Sequence, residues 1–261
     1  MFVDSHVNLH GEKFSDDLDA VVTRAKDANV TTMLTICCAL SEFDSVYNVA
    51  ASYDNMWASV GTHPHEAKTN PDITPEDLIK KAALPRVVGI GETGLDFHYN
   101  FSDREAQFHN FLAHIEAARK TRLPLIIHSR NADDEMGDIL EQEMKKGEFP
   151  ALLHCYTSGK RLAERGLDMG LYFSFSGIIT FKNANDVREI VTMIPDDKLL
   201  IETDCPYLAP VPYRGRRCEP HMVSEVASKL AEIRKWSIEE TASKTTDNFF
   251  KLFAKAERKK Q

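Results

Sequence analysis

The chain has 261 residues and a mass of 29.5 kDa, enough to bury roughly 70–75% of its unfolded surface without disulfide or metal staples. Apolar residues make up 43% and charged residues 28%, with 12 Gly and 11 Pro, which excludes disordered and collagen-like classes. Lys and Arg total 32 against 40 Asp and Glu, a formal charge of −8, so a nucleic-acid partner would need a local basic or metal-bearing patch.

Five cysteines, at 37, 38, 155, 205 and 218, form no Cys-x-x-Cys pair and are odd in number. A reducing compartment is expected rather than a disulfide framework. The opening MFVDSHVNLHGEKF has no basic region followed by an apolar run, and no apolar stretch approaches the ~20 residues that span a bilayer. The expectation is a cytoplasmic protein with no membrane association and no obligate protein partner.

In chain order, short apolar runs at 1–5, 30–37, 56–61, 86–91, 124–128, 151–155, 169–173 and 198–202 read as strands. Helical periodicity falls between them at 16–29, 42–53, 75–83, 102–121, 132–146, 160–166 and 183–193. Near-continuous apolar strands alternating with helices predict a parallel sheet covered on both faces. Eight such repeats match a TIM (β/α)8 barrel, and no Gly-x-Gly-x-x-Gly follows the first strand to favour a doubly wound open sheet. Thr74 before Pro75 and Asp77 signals a helix start, and Ser102 with Glu105 has the form of a capping box. Two further helices are predicted at 222–234 and 238–255, after which AERKKQ lacks apolar anchors and is expected to fray. No linker divides the chain, so residues 1–261 read as one domain.

Metal-capable residues fall at the strand ends. His6 ends the first strand, His63 and His65 follow the third in GTHPH, and Glu92 follows the fourth in GETGLDFH. His128 ends the fifth, His154 the sixth, and Asp204 follows the eighth. Alone, each has an ordinary reading as a rim residue or a turn cap. In a closed barrel, however, all these ends converge on one rim, and imidazole with carboxylate is a donor set for zinc, manganese or iron, with magnesium favoured as carboxylate content rises. Glu92 is the natural bridge between two ions, because its carboxylate offers two oxygens.

These motifs, DSH at the amino terminus, SVGTHPH, GIGETGLDFH, LPLIIHSR, LLHCYTSG and LLIETDCPYLAP, resemble in order those of the TatD family of metal-dependent deoxyribonucleases, within the amidohydrolase-like barrels. The resemblance implies that Glu92 is shared by two divalent ions, that His6 and Asp204 complete one shell, and that His128 and His154 complete the other. It also implies magnesium-dependent cleavage of DNA phosphodiester bonds, commonly from the 3′ end. One position departs from the pattern. Many relatives carry His-x-His at the first strand, whereas this chain reads His6-Val7-Asn8. An amide oxygen is a weaker ligand than imidazole and biases the first ion from zinc toward magnesium or manganese, with zinc as the alternative. His10 is a conceivable substitute.

For catalysis the expected residues are Glu92, Asp204 and His63. Asp204 is either a plain ligand or also the acceptor of the attacking water's proton. His63 and His65 either face the phosphate, as donor or leaving-group acid, or orient a ligand. Asp96 is either a partner of a ligand histidine or a turn cap. Arg130 is a candidate phosphate clamp, as is the loop carrying Arg214, Arg216 and Arg217, with Arg216 the foremost of the three. His65, Arg130, Tyr207 and Arg216 are therefore the expected substrate contacts. Phe97, Tyr99, Tyr156, Phe175 and Tyr207 are candidate base stackers for single-stranded or frayed 3′ ends. The competing function is an amidohydrolase or lactonase acting on a small C–N or C–O bond. No lysine ends a central strand to act as a carboxylated bridge, and an open groove over the metals, rather than a closed apolar pocket, would favour nucleic acid. A noncatalytic binding module is the third alternative.

Overall fold

A computed structural model describes residues 1–99 and 101–258. The eight apolar runs become parallel strands: β1 (Phe2–Val7), β2 (Val30–Thr35), β3 (Met56–Val60), β4 (Val87–Asp96), β5 (Leu125–Arg130), β6 (Ala151–Leu153), β7 (Tyr172–Phe175) and β8 (Leu199–Ile201). They pair in sequence order. A parallel bridge between Val7 and Cys205 joins the two edges. It is reinforced by Asn8 N–H to the Cys205 carbonyl at 2.9 Å and Asp204 N–H to the His6 carbonyl at 3.0 Å. The result is the α/β barrel expected from the repeat.

Helices α1 (Leu18–Asp27), α2 (Phe43–Ser52), α3 (Pro75–Ala82), α4 (Arg104–Thr121), α5 (Asp133–Lys146), α6 (Lys160–Asp168), α7 (Asn185–Met193) and α8 (Val223–Arg234) follow the strands, and α9 (Ile238–Leu252) is additional. The strands supply alternate residues to two cores, as their two-residue period requires. Met33, Ala58, Leu125, Leu153 and Phe173 pack with helix residues such as Val21, Phe111 and Val226. Val3, Leu34, Val88, Ile126, Leu152 and Leu200 instead form an interior cluster with Phe249, Leu252, Phe253 and Ala256 from α9 and the segment after it. The extra helix thus plugs the amino-terminal mouth of the barrel, leaving the carboxyl-terminal rim for chemistry.

Several boundaries differ from expectation for identifiable reasons. β4 runs on to Asp96 because the GETG segment, which reads as a turn, pairs with β5 through Thr93–Ile127, Gly94–His128 and Asp96–Arg130 after a register shift. Gly94 has φ +139°, and a Cβ there would lie 2.0 Å from the His128 carbonyl oxygen, so only glycine lets the strands close at this point. β7 begins at Tyr172 rather than Met169, because Met169 caps α6 and Gly170 turns the chain at φ +74°. Thr74 and Asp77 form a reciprocal capping box. At α4 the cap is Asp103, whose side chain accepts from Ala106 N–H, rather than Ser102. Ser102 Oγ instead donates to the His65 carbonyl at 2.8 Å and accepts from Lys68 N–H at 3.1 Å, fastening the turn that carries HPH.

The tail is better anchored than its composition suggests. Lys255 Nζ donates to the Ala82 and Leu84 carbonyls, both at 2.8 Å, and so satisfies the end of α3; Ala256 is buried and Arg258 pairs with Asp247. Residues 259–261 of the expected frayed end lie outside the described residues. All five cysteines are free, and no described helix is long and apolar enough to cross a membrane.

Candidate metal centre

The interior face of the strands continues past the apolar cluster into the rim. His128 lies two residues beyond Ile126, His154 two beyond Leu152, and Glu202 two beyond Leu200. One periodicity therefore builds the inner core and aims polar side chains at the carboxyl-terminal mouth. They meet there at Glu92, which is 4% exposed. Its Oε1 lies 2.6 Å from His154 Nε2, 3.2 Å from His128 Nδ1 and 3.5 Å from His63 Nε2, while Oε2 lies 3.4 Å from His6 Nε2. Asp204 Oδ1 stands 3.7 Å from His6 Nε2. Two groups with metal-ligand spacing result, His6–Glu92–His154 and His63–Glu92–His128, with Glu92 common to both.

Further groups hold these rings in place. Asp96 uses both oxygens: Oδ1 accepts from the backbone N–H of His98 and Tyr99 at 2.9 and 3.1 Å, and Oδ2 lies 2.9 Å from His65 Nε2 and 3.0 Å from His128 Nε2. It is turn cap and histidine partner at once, and it leaves His128 Nδ1 turned toward Glu92. Glu202, buried beneath the site, lies 3.3 Å from His154 Nδ1 and accepts from Ser174 Oγ at 2.6 Å. His114 accepts from Thr62 N–H through Nε2 at 3.0 Å, with Nδ1 at 2.7 Å from the Asn110 carbonyl, and so secures the GTHPH segment from α4. In His63, Nδ1 accepts from His65 N–H at 3.1 Å. In the neutral ring the proton therefore sits on Nε2, toward Glu92.

The electrostatics follow from burial and pairing. Burial opposes charge on Glu92, yet the field of His154 and contacts with neighbouring imidazoles hold its carboxyl well below the usual range. Burial likewise opposes charge on His154, but Glu92 and Glu202 raise it well above its ordinary value. Burial pushes His63 down to about 3 and Asp204 up to about 6. His6 is wholly buried, and neither ring nitrogen has a hydrogen-bond partner. Such an orphaned imidazole beside two carboxylates fits a divalent cation as the missing partner. The donor set as a whole, imidazoles around one shared carboxylate, is that of a two-metal hydrolase centre.

The site opens into a cleft of about 1000 Å³ lined by His63, His65, Arg130, Asp204 and Tyr207 among others. Arg130 and Tyr207 thus join the metal-capable residues, but the arginine loop does not. Arg216 is exposed and is not among the described residues that line the cleft. Arg217 is paired with Asp17 and Glu219, and Arg214 donates to the Ala209 carbonyl. Arg214 and Arg217 are thus held by neighbours in the chain, Ala209 and Glu219, and Arg217 also by Asp17, which the fold brings near. Asn8 lines the cleft, with its amide nitrogen committed to the Cys205 carbonyl at 3.2 Å; His10 is held 3.2 Å from Glu42. Of the candidate stackers, Tyr99 and Tyr207 line the cleft, whereas Tyr156 and Phe175 are buried and Phe97 packs against Phe108. Sequence reasoning missed Glu202 and His114; a glutamate one strand period before Asp204 was the available signal for the first.

Comparison with known proteins agrees with this geometry. A family model described as TatD related DNase matches residues 3–254. The chain is 39% identical over 256 residues to the metal-dependent hydrolase YabD of Bacillus subtilis, covering 97% of this chain and 99% of that protein. It is 36% identical over 256 residues to the 3′-5′ ssDNA/RNA exonuclease TatD of Citrobacter rodentium, covering 96% and 97%. The crystal structure of the TatD homologue YjjV from Escherichia coli superposes with a TM-score of 0.89 at 26% identity, covering 97% of this chain and 98% of that one. With the family model spanning almost every strand and helix, and a carboxylate-bridged pair of ligand groups at the barrel rim, the chain belongs to the TatD-related DNase family and is a metal-dependent hydrolase.

Proposed function

We propose that the protein removes nucleotides from the 3′ end of single-stranded or frayed DNA, using two divalent ions, in the cytoplasm. The observation that carries this reading is Glu92, common to two ligand groups at the base of an open cleft that has Arg130 on its wall. The mouth is broad and rimmed by charge, unlike the closed apolar pocket that a small amide or lactone would call for. The naming of the Citrobacter rodentium relative as a 3′-5′ ssDNA/RNA exonuclease supports the polarity and leaves RNA as a second substrate to compare. Five unpaired cysteines suit a reducing compartment.

By spacing, His154 stands with His6 and His63 with His128 around Glu92; with ions bound, His6, Glu92 and Asp204 would hold one and Glu92, His128 and His154 the other. Bound divalent ions supply Lewis acidity, activating water and drawing charge from the phosphoryl oxygens. Magnesium or manganese is proposed; the imidazole-rich donors favour manganese of the two and make zinc the competitor. Asp204, at the edge of the cleft, accepts the proton released by water. His63 is a donor rather than a ligand, because its Nδ1 is engaged by His65 N–H and its Nε2 carries the proton. It therefore serves a phosphoryl or leaving oxygen. His65, Arg130 and Tyr207 line the path of the strand. Arg216, outside the cleft lining, would contact only a longer substrate.

The test is hydrolysis of single-stranded DNA and RNA blocked at either end, with magnesium, manganese and zinc compared, beside Glu92→Gln. Loss of nucleotides from free 3′ ends, abolished by the substitution, is expected. Cleavage that survives Glu92→Gln, or that begins at the 5′ end, would refute the corresponding part.

A further inference from the structure

Two aromatic side chains lie in solvent beside the metal cleft. Phe101 is 53% exposed and Tyr99 40% exposed. Their rings are stacked, with centroids 5.2 Å apart and planes 20° from parallel. Folding buries little of a phenylalanine left half in water, so an exposed pair of this kind marks a contact surface more than a packing requirement.

The pair is tied to the metal centre. Tyr99 N–H donates to Asp96, the same carboxylate that holds His128. His65, also bound to Asp96, meets both rings edge-on, with centroids 5.5 Å from Tyr99 and 4.9 Å from Phe101. The Arg130 guanidinium lies 4.9 Å from the centroid of Tyr99. Flat π-faces, an edge-on imidazole and a planar cation are thus assembled together, with Tyr99 and His65 anchored to a single buried carboxylate. Tyr99, His65 and Arg130 all line the cleft.

We propose that Tyr99 and Phe101, with Arg130, form a subsite that holds an unpaired nucleobase and its phosphate beside the metal centre. This rests on the nucleic-acid reading above and adds the part of the substrate that the metal ligands do not recognise. Aromatic faces bind any base, which permits weak sequence preference, and a base inside a duplex has no free face to offer, which selects unpaired strands. Arginine reaches the adjoining phosphate as a planar donor and also stacks on aromatic rings. A protein partner is disfavoured, because the patch is two rings wide and continuous with the metal cleft.

The test uses full-length protein and fluorescein-labelled single-stranded oligonucleotides, either intact or abasic at the three nucleotides of the 3′ end, with binding read by anisotropy in calcium and hydrolysis in manganese. Wild type is expected to bind the intact strand about tenfold more tightly than the abasic one. Phe101→Ala and Phe101→Leu should erase most of that difference without changing affinity for the abasic strand, while Phe101→Trp retains it. Leucine keeps apolar bulk without a π-face, so its loss excludes a simple packing effect. Equal binding of both strands by wild type, or an undiminished difference in the alanine and leucine variants, overturns the proposal. Base-dependent binding by a wild type that hydrolyses neither strand would sink the nuclease reading and leave this subsite standing.

Discussion

Glu202 Oε1 stands 3.3 Å from Nδ1 of His154, on the opposite side of that ring from the Glu92 oxygen 2.6 Å from Nε2. Nδ1–H donates to Glu202, so a cation that displaces the proton held between Nε2 and Glu92 would meet an Nε2 lone pair made more basic by that bond. Ser174 and Ser5 donate to Glu202 Oε2, so the carboxylate is itself held. Glu202→Gln keeps the shape and removes the charge. Divalent-ion affinity is expected to fall about 10- to 100-fold in calorimetric titration, with little change in secondary structure. Unchanged affinity would assign Glu202 to packing alone.

Asp96 Oδ2 serves two imidazoles, His65 and His128, with one atom. In Asp96→Asn an amide oxygen can replace the weaker half of that arrangement, but the charge that fixes both tautomers is gone. One of the two ion sites is expected to weaken by about tenfold or more, and kcat to fall more than KM rises. Two unaltered sites in manganese titration would show that His128 orients itself without Asp96.

The wholly buried His114 gives a pH dependence of stability. Burial lowers it from an ordinary value of 6.5 to about 4. Between these values the unfolded chain binds a proton that the native chain refuses, so stability is present in full above 6.5 and is lost as pH falls toward 4. The loss attributable to this group is roughly 3 kcal/mol at pH 4. His114→Gln, which can still accept from Thr62 N–H, should flatten the slope of Tm against pH over that interval. A slope unchanged from wild type would refute the assignment.

Phe253 is completely buried in the interior cluster, with its ring against β4 close to Gly89. Phe253→Ala opens a cavity in the barrel plug and should cost roughly 3–5 kcal/mol by denaturant titration. Metal content should persist in the folded fraction, because the plug and the ligands occupy opposite ends of the barrel. A loss below about 1 kcal/mol would mean that the amino-terminal mouth closes without α9.

The barrel was legible from periodicity because each strand carries its own burial pattern, and eight strand-helix repeats suit one closed sheet. The metal-capable residues were legible for the same reason: once strands run parallel, their carboxyl ends must share a rim. The boundary of β4 was not, since glycines that read as a turn instead carry the strand past a register shift. Within the arginine loop, the sequence does not reveal that Asp17 lies within reach of Arg217.

By itself, then, the sequence determined the repeat, the polarity of the strands and the chemical types that would gather at one end, all consequences of local patterning. Tertiary structure decided which oxygen meets which ring: Glu92 between two histidine groups, Asp96 and Glu202 behind the ligands, and Phe101 left in water beside them. Such relationships depend on ångström-scale register and loop paths, which many distant contacts set together and no short segment encodes.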